Sequence, residues 1–283
     1  MYEQFYGLRE KPFSLAPDPG FLYLARRHRH ALTMLEYVLG EASGFALITG
    51  EVGCGKTTVV RHVLERVEQV LNVGFVTNTH KGFGPLLPWI MEALRLPVGA
   101  DSQSEQYRRL VEYARTEYSC GRRVVLVIDE AQNLGVEGLE ELRVLSNINA
   151  GKHNMIQTIL IGQPELRKLL KRRSLRQFAQ RIAMEYHLEA MQPEETVAYI
   201  GHRLTVAGGS SHLFSPAACA AVHAAAGGVP RLINIVCDTA LVYGFGDQKR
   251  AIDVELIEQV LQDRSGVLPL RSAVEASAAA LAG

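Results

Sequence analysis

Apolar residues form short continuous runs that alternate with stripes at helical spacing. Five stretches have the character of strands, and they are FALI, VGFVTN, VVLVI, MIQTILIG and IAMEYHLEAM. Apolar runs of this length, bounded by turn residues, are typical of strands that are buried on both faces. Because helical stripes separate them, the pattern predicts an α/β fold, with a parallel five-stranded sheet packed between helices, up to about residue 190.

Helical stripes follow three of these strands. The stripe after the first strand consists of Val60, Val63, Leu64, Val67 and Leu71. Further stripes comprise Tyr107, Val111, Ala114 and Tyr118, and then Leu139, Leu142 and Leu145. Recurrence every three or four positions places each set on one helical face and predicts amphipathic helices covering the sheet.

Beyond residue 192 the strand pattern stops. Four segments begin at Pro, Ser or Asp or end at Gly, which are helix start and stop signals, and they cover 192–264. We therefore predict a small helical domain there, and an alanine-rich flexible tail at 265–283 that could dock on a partner.

Composition restricts the class of protein. The formal net charge is zero and 47% of the residues are hydrophobic, but no apolar run approaches the roughly 20 residues that a membrane span needs. The first residues lack a basic start and an apolar core, so we expect no secretory signal and a cytoplasmic protein. The four cysteines contain no C-x-x-C pair, which argues against a zinc site or a disulfide framework. Although the net charge is zero, one segment is strongly basic. Residues 167–181, which are predicted to form a helix, contain seven Lys or Arg in fifteen positions.

The segment GEVGCGKTT fits the phosphate-binding pattern G-x-x-x-x-G-K-[ST] at Gly50, Gly55, Lys56 and Thr57. It lies between a predicted strand and a predicted helix, where backbone N–H groups and the helix N-terminus attract phosphate oxygens. Lys56 would bridge the β- and γ-phosphates, and Thr57 would hold Mg²⁺. The predicted nucleotide-binding residues are Gly50, Glu51, Val52, Gly53, Cys54, Gly55, Lys56, Thr57 and Thr58.

Two acids end the VVLVI strand. Asp129 is predicted to act on Mg²⁺ with Thr57, and Glu130 is predicted to be the base that polarises an attacking water. Gln163, at the end of the next strand, could hydrogen-bond that water or the γ-phosphate. This combination indicates hydrolysis of a nucleotide.

Three arginines are candidates for stabilising negative charge on the phosphates of a bound nucleotide. Arg181 follows the basic segment and could act on a nucleotide held by a neighbouring copy, with Arg176 as the alternative. Arg231 stands just inside a helix after Gly-Gly-Val-Pro, from where it could report whether ATP or ADP is bound.

Taken in order, the phosphate loop, IDEAQ, IGQPEL, QRI and GGVPRLIN resemble an AAA+ ATPase. With the N-terminal MYEQFYGLREKPFSLAPDPGFLYL, the chain resembles the ExeA/GspA-type ATPases of general secretion. The resemblance implies strand order 5-1-4-3-2, ATP with Mg²⁺, and assembly into rings or filaments. It divides the chain into an N-terminal segment on the nucleotide site (1–24), an ATPase core (25–191) and a helical lid (192–264). ExeA-type proteins continue into a membrane span and a periplasmic domain, so we expect here a stand-alone cytoplasmic ATPase, at most peripheral to the inner membrane.

Three functions remain open. The first is an ATPase whose nucleotide-driven assembly remodels a secretion or envelope-biogenesis partner. The second is a DNA-binding transposition helper, similar to TniB, TnsC and MuB, that forms filaments on duplex DNA through the basic segment. The third is a nucleotide-gated scaffold with negligible turnover.

Overall fold

The computed structural model describes residues 1–16, 18–41, 44–67, 70–77, 79, 82, 84–99, 102–150 and 153–264. The predicted tail at 265–283 lies outside them. The chain divides into two compact units. The first contains Met1–Arg27, Val52–Gly55 and the residues from Glu189 onward, and the second contains His28–Glu51 and Lys56–Leu188.

The described residues form helices and strands that are mixed along the chain up to β7, and helices alone after it. The helices are α1 (Tyr2–Tyr6), α2 (Arg26–Glu41), α3 (Lys56–Glu65), α4 (Leu86–Ala93), α5 (Gln103–Ser119), α6 (Gly135–Leu145), α7 (Pro164–Leu170), α8 (Arg176–Ala179), α9 (Pro193–Val206), α10 (Pro216–Ala226), α11 (Pro230–Gly246) and α12 (Val254–Asp263). The strands are β1 (Phe45–Gly50), β2 (Leu71–Val76), β3 (Arg123–Ile128), β4 (Asn149–Ala150), β5 (His153–Asn154), β6 (Ile156–Gly162) and β7 (Ile182–Leu188). None of these helices is both long and apolar enough to cross a bilayer.

The second unit is built on a five-stranded parallel sheet in the order β2-β3-β6-β1-β7. Counting only these five strands along the chain, the order is 5-1-4-3-2 from the other edge, as the resemblance implied. The central strands β1 and β6 are buried along their whole length, whereas the edge strand β7 alternates between buried and exposed positions. The sequence shows the same difference, because an edge strand meets solvent and needs polar residues.

The sheet is covered by the amphipathic helices that the stripes predicted. Leu139, Leu142 and Leu145 of α6 are all buried, as is Ala114 of α5. They belong to one hydrophobic cluster with sheet residues such as Phe45, Leu126, Ile128 and Leu160. This packing holds the strand ends that carry the polar site.

Two local predictions were wrong in detail, and one element was not predicted. Val67 and Leu71 do not belong to the helix after the phosphate loop, because α3 ends at Glu65 and Leu71 starts β2. That strand accordingly begins two residues before the predicted one. The short antiparallel pair β4–β5 was not predicted.

The basic segment is not one helix. It consists of α7, a 3-10 turn at Arg173–Leu175 and α8, with extended backbone at Arg172 (φ −65°, ψ 142°). The break has a packing reason: Leu170, Leu175 and Phe178 are all buried, and their spacing of five and then three residues does not fit one straight helical face.

The first unit is helical, as predicted for 192–264, and it includes the N-terminal segment. Helices α9 to α12 share one hydrophobic cluster with Tyr2, Leu8, Phe13 and Phe21. The expectation that residues 1–24 pack on a nucleotide site stays a prediction. Within this unit, that segment completes the core of the helical domain.

Arg203 of α9 attaches the N-terminal segment. Its guanidinium is buried, donates to the carbonyl oxygens of Pro12 and Ser14 and to Tyr199 Oη, and lies 4.9 Å from the ring centre of Phe21. A buried cation without hydrogen bonds would be costly, so these acceptors and the aromatic face explain why Pro12, Ser14 and Phe21 lie against Arg203.

Tyr6 makes a second attachment, in which its hydroxyl donates to the carbonyl oxygen of Lys249 at 3.1 Å. Burial raises the pKa of Tyr6 from 10.0 to about 12, against the opposing effect of the nearby Arg250. Burial also raises the pKa of Tyr2, whose hydroxyl donates to Asp238. The folded state therefore favours the protonated phenols.

We expect the first unit to lose stability in alkali. Because the pKa of Tyr6 is raised on folding, its contribution is complete below pH 10.0 and is lost as the pH rises through about 12. Tyr6→Phe should lower stability at neutral pH but make the alkaline decrease less steep, as measured by urea unfolding at a series of pH values. Tyr37→Phe is the control, since Tyr37 is 65% exposed. A Tyr6→Phe protein with the wild-type pH slope would contradict the assignment.

Candidate phosphate-binding site

The loop that follows β1 has the backbone that its glycines permit. Gly53 and Gly55 have φ of 82° and 90°, in the left-handed region that side chains disfavour. Gly50 is required for another reason, since a Cβ there would lie 2.4 Å from the carbonyl oxygen of Leu188 on the adjacent β7. The glycines thus allow a turn and a close strand contact that other residues would obstruct.

Lys56 and Thr57 are the first two residues of α3. Lys56 is 7% exposed, and its Nζ donates to the carbonyl oxygens of Gly50 and Glu51, at 2.8 Å in each case. A buried ammonium group at a helix N-terminus is a strong local positive charge. These two hydrogen bonds hold the Lys56 side chain against the start of the loop.

Asp129 immediately follows β3, and its carboxylate is satisfied on both oxygens. Thr57 Oγ1 donates to Oδ2 at 2.8 Å, and the backbone N–H of Glu130 donates to Oδ1 at 2.9 Å. The predicted pair of Mg²⁺ ligands, Thr57 and Asp129, is therefore brought into direct contact, although 72 residues separate the two in the chain.

Glu130 has an unusual backbone, with φ 50° and ψ 41°. A non-glycine residue in the left-handed region costs of order 1 kcal/mol or more and persists where the surroundings fix it. Gln132 Nε2 and Gln163 Nε2 both donate to Glu130 Oε2, the second at 3.0 Å. Gln163 thus contacts Glu130, which the sequence did not predict.

Two residues of this cluster were missed from the sequence. Gln132 lies in the IDEAQ motif, but it was not singled out as a site residue. Thr79 lies just beyond β2, and its Oγ1 is 3.2 Å and 3.0 Å from the carbonyl oxygens of Asp129 and Glu130. The only available signal for Thr79 was its place after a strand at the carboxyl edge of the sheet.

Arg231 lies in the first unit beside Gly53. Its backbone N–H donates to the carbonyl oxygen of Gly53 at 3.3 Å, and a Cβ on Gly53 would lie 2.5 Å from Arg231 Cβ. Gly53 is therefore needed both for its left-handed backbone and for the approach of Arg231. The side chain of Arg231, at the start of α11, is exposed.

Arg181 is held within its own unit. Its Nη1 donates to the carbonyl oxygen of Arg143 at 3.2 Å, to Asn147 Oδ1 at 2.8 Å and to Ser146 Oγ, so it stabilises the end of α6. Arg176, the alternative, is exposed on α8. Neither the contacts of Arg181 nor the exposure of Arg176 tests whether one of these arginines acts on a neighbouring copy, so that role stays a prediction.

The residues present fit a nucleoside triphosphate with Mg²⁺. Hydroxyl and carboxylate oxygens, here Thr57 Oγ1 and Asp129 Oδ2, are the donors that Mg²⁺ prefers, and they are already 2.8 Å apart. Lys56 supplies a buried positive charge, and the glycine loop supplies backbone N–H groups. The remaining acid, Glu130, is half-buried, and the side-chain donors to its carboxylate within the described part of the chain are two amide groups.

Comparisons with known proteins give the same class. Residues 40–170 match the family model described as an AAA domain. The chain is 41% identical over 246 residues to General secretion pathway protein A of Aeromonas hydrophila, which covers 87% of this chain. It spans only 45% of the length of that relative.

Solved structures are similar in fold. The Aeropyrum pernix ORC2 protein in its ADPNP–ADP complexes superposes with a TM-score of 0.69 at 17% identity, covering 92% of this chain and 72% of that one. The Aeropyrum pernix ORC1 protein in complex with DNA gives 0.64 at 21%, covering 90% and 69%. The Thermotoga maritima RuvB Holliday junction branch migration motor gives 0.53 at 14%, covering 84% and 69%.

The sheet order, the helical C-terminal region and the matched family model define an AAA domain on a P-loop NTPase fold. Within that class the chain is an ExeA/GspA-like AAA protein, so the resemblance seen in the sequence is confirmed.

Gly53→Ala should destabilise the protein through contact with Arg231 as well as through backbone strain. We expect a loss of about 2–4 kcal/mol, of which about 1 kcal/mol is the left-handed backbone and the rest overpacking. Gly7→Ala is the matched control, because Gly7 has φ 70° but nothing within 4 Å of its added Cβ. Equal losses for the two variants in urea unfolding would show that Arg231 does not constrain this loop.

Proposed function

We propose that this protein is a Mg²⁺-dependent ATPase that converts ATP to ADP and phosphate. The observation that carries the proposal is the cluster at the carboxyl edge of the sheet, where Asp129 meets Thr57 and Glu130 is held separately by two amides. A protein that only bound nucleotide would have no need of a second, oriented carboxylate. Relatedness to AAA ATPases supports the same activity.

Each residue has a role in this scheme. The loop from Gly50 to Thr58 binds the phosphates through backbone N–H groups, and Lys56 exchanges its carbonyl acceptors for phosphate oxygens. Thr57 and Asp129 hold Mg²⁺, which when bound neutralises charge that develops on the phosphates. Glu130 takes a proton from the attacking water, and Gln163 keeps the carboxylate of Glu130 in place.

Arginines complete the proposed site. Arg231 contacts Gly53 through its backbone, so a change in the loop on hydrolysis would be transmitted to α11. In a ring or filament, Arg181 or Arg176 of one copy would stabilise charge on the nucleotide of the next, an effect worth about 10³–10⁵ in rate in other P-loop enzymes. Arg176 needs no rearrangement for this, whereas Arg181 would have to release the end of α6.

The biological setting is proposed from the relative alone. General secretion pathway protein A lends support to nucleotide-driven remodelling of a secretion or envelope-biogenesis partner. We propose a cytoplasmic location, with attachment to the inner membrane only through such a partner.

Lys56→Ala and Glu130→Gln should separate binding from hydrolysis. Lys56→Ala removes a fixed charge beside several phosphate charges and should abolish measurable ATP binding in calorimetry with Mg²⁺. Glu130→Gln keeps the loop intact, so it should bind ATP as the wild type does but lose about 10²–10⁴ in kcat.

Lys249→Ala is the control for Lys56→Ala, since Lys249 pairs with Asp253 in the helical unit, and it should retain ATP binding. The proposal fails if Lys56→Ala binds ATP normally, or if Glu130→Gln turns over at the wild-type rate.

A second function rests on the basic surface segment, which we define as Lys168–Arg176. Its five cations are exposed, and none of them makes an ion pair or a side-chain hydrogen bond with any residue that the structure describes. They are Lys168, Lys171, Arg172, Arg173 and Arg176. The flanking cations differ, because Arg167 pairs with Glu185 and Arg181 is held by α6. Five uncompensated charges on one short segment favour a polyanionic partner such as duplex DNA.

If duplex DNA binds this segment, the logarithm of its affinity should fall linearly with the logarithm of salt concentration, with a slope up to about −4.5 for five phosphate contacts. Lys171→Ala with Arg172→Ala should reduce the slope by about 1.8 in fluorescence anisotropy with ATP present. Arg108→Ala with Arg115→Ala removes two exposed cations of α5 and should leave it unchanged. Absence of DNA binding at low salt, or equal effects of the two double variants, would exclude this function.

A further inference from the structure

Glu130, Gln132 and Gln163 form a closed ring of hydrogen bonds at the adjacent ends of β3 and β6. Gln132 Nε2 donates to Glu130 Oε2, and Gln132 Oε1 accepts from the backbone N–H of Gln163 at 3.1 Å. Gln163 Nε2 closes the ring by donating to the same Glu130 Oε2 at 3.0 Å. Both ends of the Gln132 amide are therefore used, one on the carboxylate and one on the neighbouring strand end.

The two carboxylate oxygens of Glu130 differ in the hydrogen bonds that they accept. Both amide donors act on Oε2, and no hydrogen bond from the described residues reaches Oε1. An ionised carboxylate accepts on both oxygens, so Oε1 keeps its lone pairs for another donor. In the proposed reaction that donor is the attacking water.

The backbone of Glu130 makes such support necessary. Glu130 has a left-handed conformation outside the strand, and Thr79 Oγ1 donates to the carbonyl oxygens of Asp129 and Glu130. This leaves the side-chain torsions of Glu130 unconstrained by the backbone contacts. Among the residues that the structure describes, the two amides are the hydrogen-bond donors that define where its carboxylate lies.

Gly162 provides the space for Gln132. A Cβ at Gly162 would lie 2.9 Å from Gln132 Oε1 and 2.6 Å from Leu166 Cδ2. Its φ is not left-handed, so steric room is the reason for glycine at this position. The end of β6 is thus shaped to admit the Gln132 amide.

We infer that Gln132 is a positioning residue, which orients Glu130 so that Oε1 faces the water and couples this orientation to the position of Gln163. The inference rests on the proposed ATPase function. Gln132 touches neither the phosphates nor the loop residues in this scheme, and acts through Glu130 alone. Its loss should therefore affect turnover and leave nucleotide affinity unchanged.

Gln132→Ala should lower kcat by about 10- to 100-fold, because a misplaced general base loses much of its contribution. The affinity for ATP in calorimetry should remain that of the wild type, which also shows that the variant is folded. Gln103→Ala, an exposed glutamine at the start of α5, is the matched control and should retain full turnover.

Gln132→Glu tests the donor itself. At neutral pH it places a second carboxylate against Glu130 and should be as slow as Gln132→Ala. Its ATP affinity should remain that of the wild type, so that the loss falls on kcat alone, which a general disturbance of the fold would not cause.

Hydrogen exchange gives a readout that does not depend on activity. The backbone N–H of Gln163 is protected by Gln132 Oε1. Gln132→Ala should accelerate exchange of the Gln163 amide, whereas Gln132→Glu keeps an acceptor and should preserve protection. Both measurements are made on the full chain without nucleotide.

The outcomes separate the two proposals. If the wild type hydrolyses ATP and Gln132→Ala is equally fast, or if Gln132→Glu turns over at the wild-type rate, the positioning role is wrong and the ATPase function stands. If the wild type hydrolyses no ATP, both are wrong. Reduced ATP affinity in Gln132→Ala would also overturn the inference, because it would place Gln132 in the binding site.

Discussion

The parallel alignment of β1, β6 and β3 is the constraint on which the candidate site depends. In a parallel sheet all carboxyl ends lie at one edge, and here β6 is hydrogen-bonded to both of the other strands. Residues that follow the three strands therefore become neighbours, although the chain separates Thr57 from Asp129 by 72 positions. The continuous apolar runs matter for the chemistry in this way, because their burial fixes the register that brings the polar ends together.

At that edge the two acids occupy different surroundings. Asp129 accepts from a hydroxyl and a backbone N–H, both fixed by secondary structure, and so it is held rigidly beside Thr57. Glu130 accepts from two side-chain amides on a single oxygen. This difference is consistent with the separate roles proposed for the two carboxylates, one as a fixed ligand for a cation and the other as a proton acceptor.

The first unit, which contains the helices α9 to α12, is stabilised in a different way. Its hydrophobic core is incomplete without the N-terminal segment, and a buried arginine, Arg203, binds the carbonyl oxygens of that segment in place of a carboxylate. The N-terminal segment and the helices α9 to α12 thus depend on each other for stability. The contact of Arg231 with Gly53 belongs to the same unit, so the glycine-rich loop contributes residues to a body that is otherwise built from the N-terminal segment and the C-terminal helices.

The sequence by itself determined the layer architecture, the helical C-terminal region and, through resemblance, the strand order, because these follow from apolar periodicity and motif order. It also predicted that Asp129 and Thr57 act together, since strand ends and a phosphate-loop motif are local signals, and the two side chains are in contact. Only the tertiary structure decided the pairing of Gln163 with Glu130, the part played by Gln132 and Thr79, and the engagement of Arg181 with α6. Those contacts depend on side-chain direction and on one left-handed residue, neither of which leaves a periodic trace in the sequence. The tertiary structure also decided the break of the basic segment into α7 and α8, because burial of Leu175 and Phe178 outweighed the continuous helix that the sequence predicted.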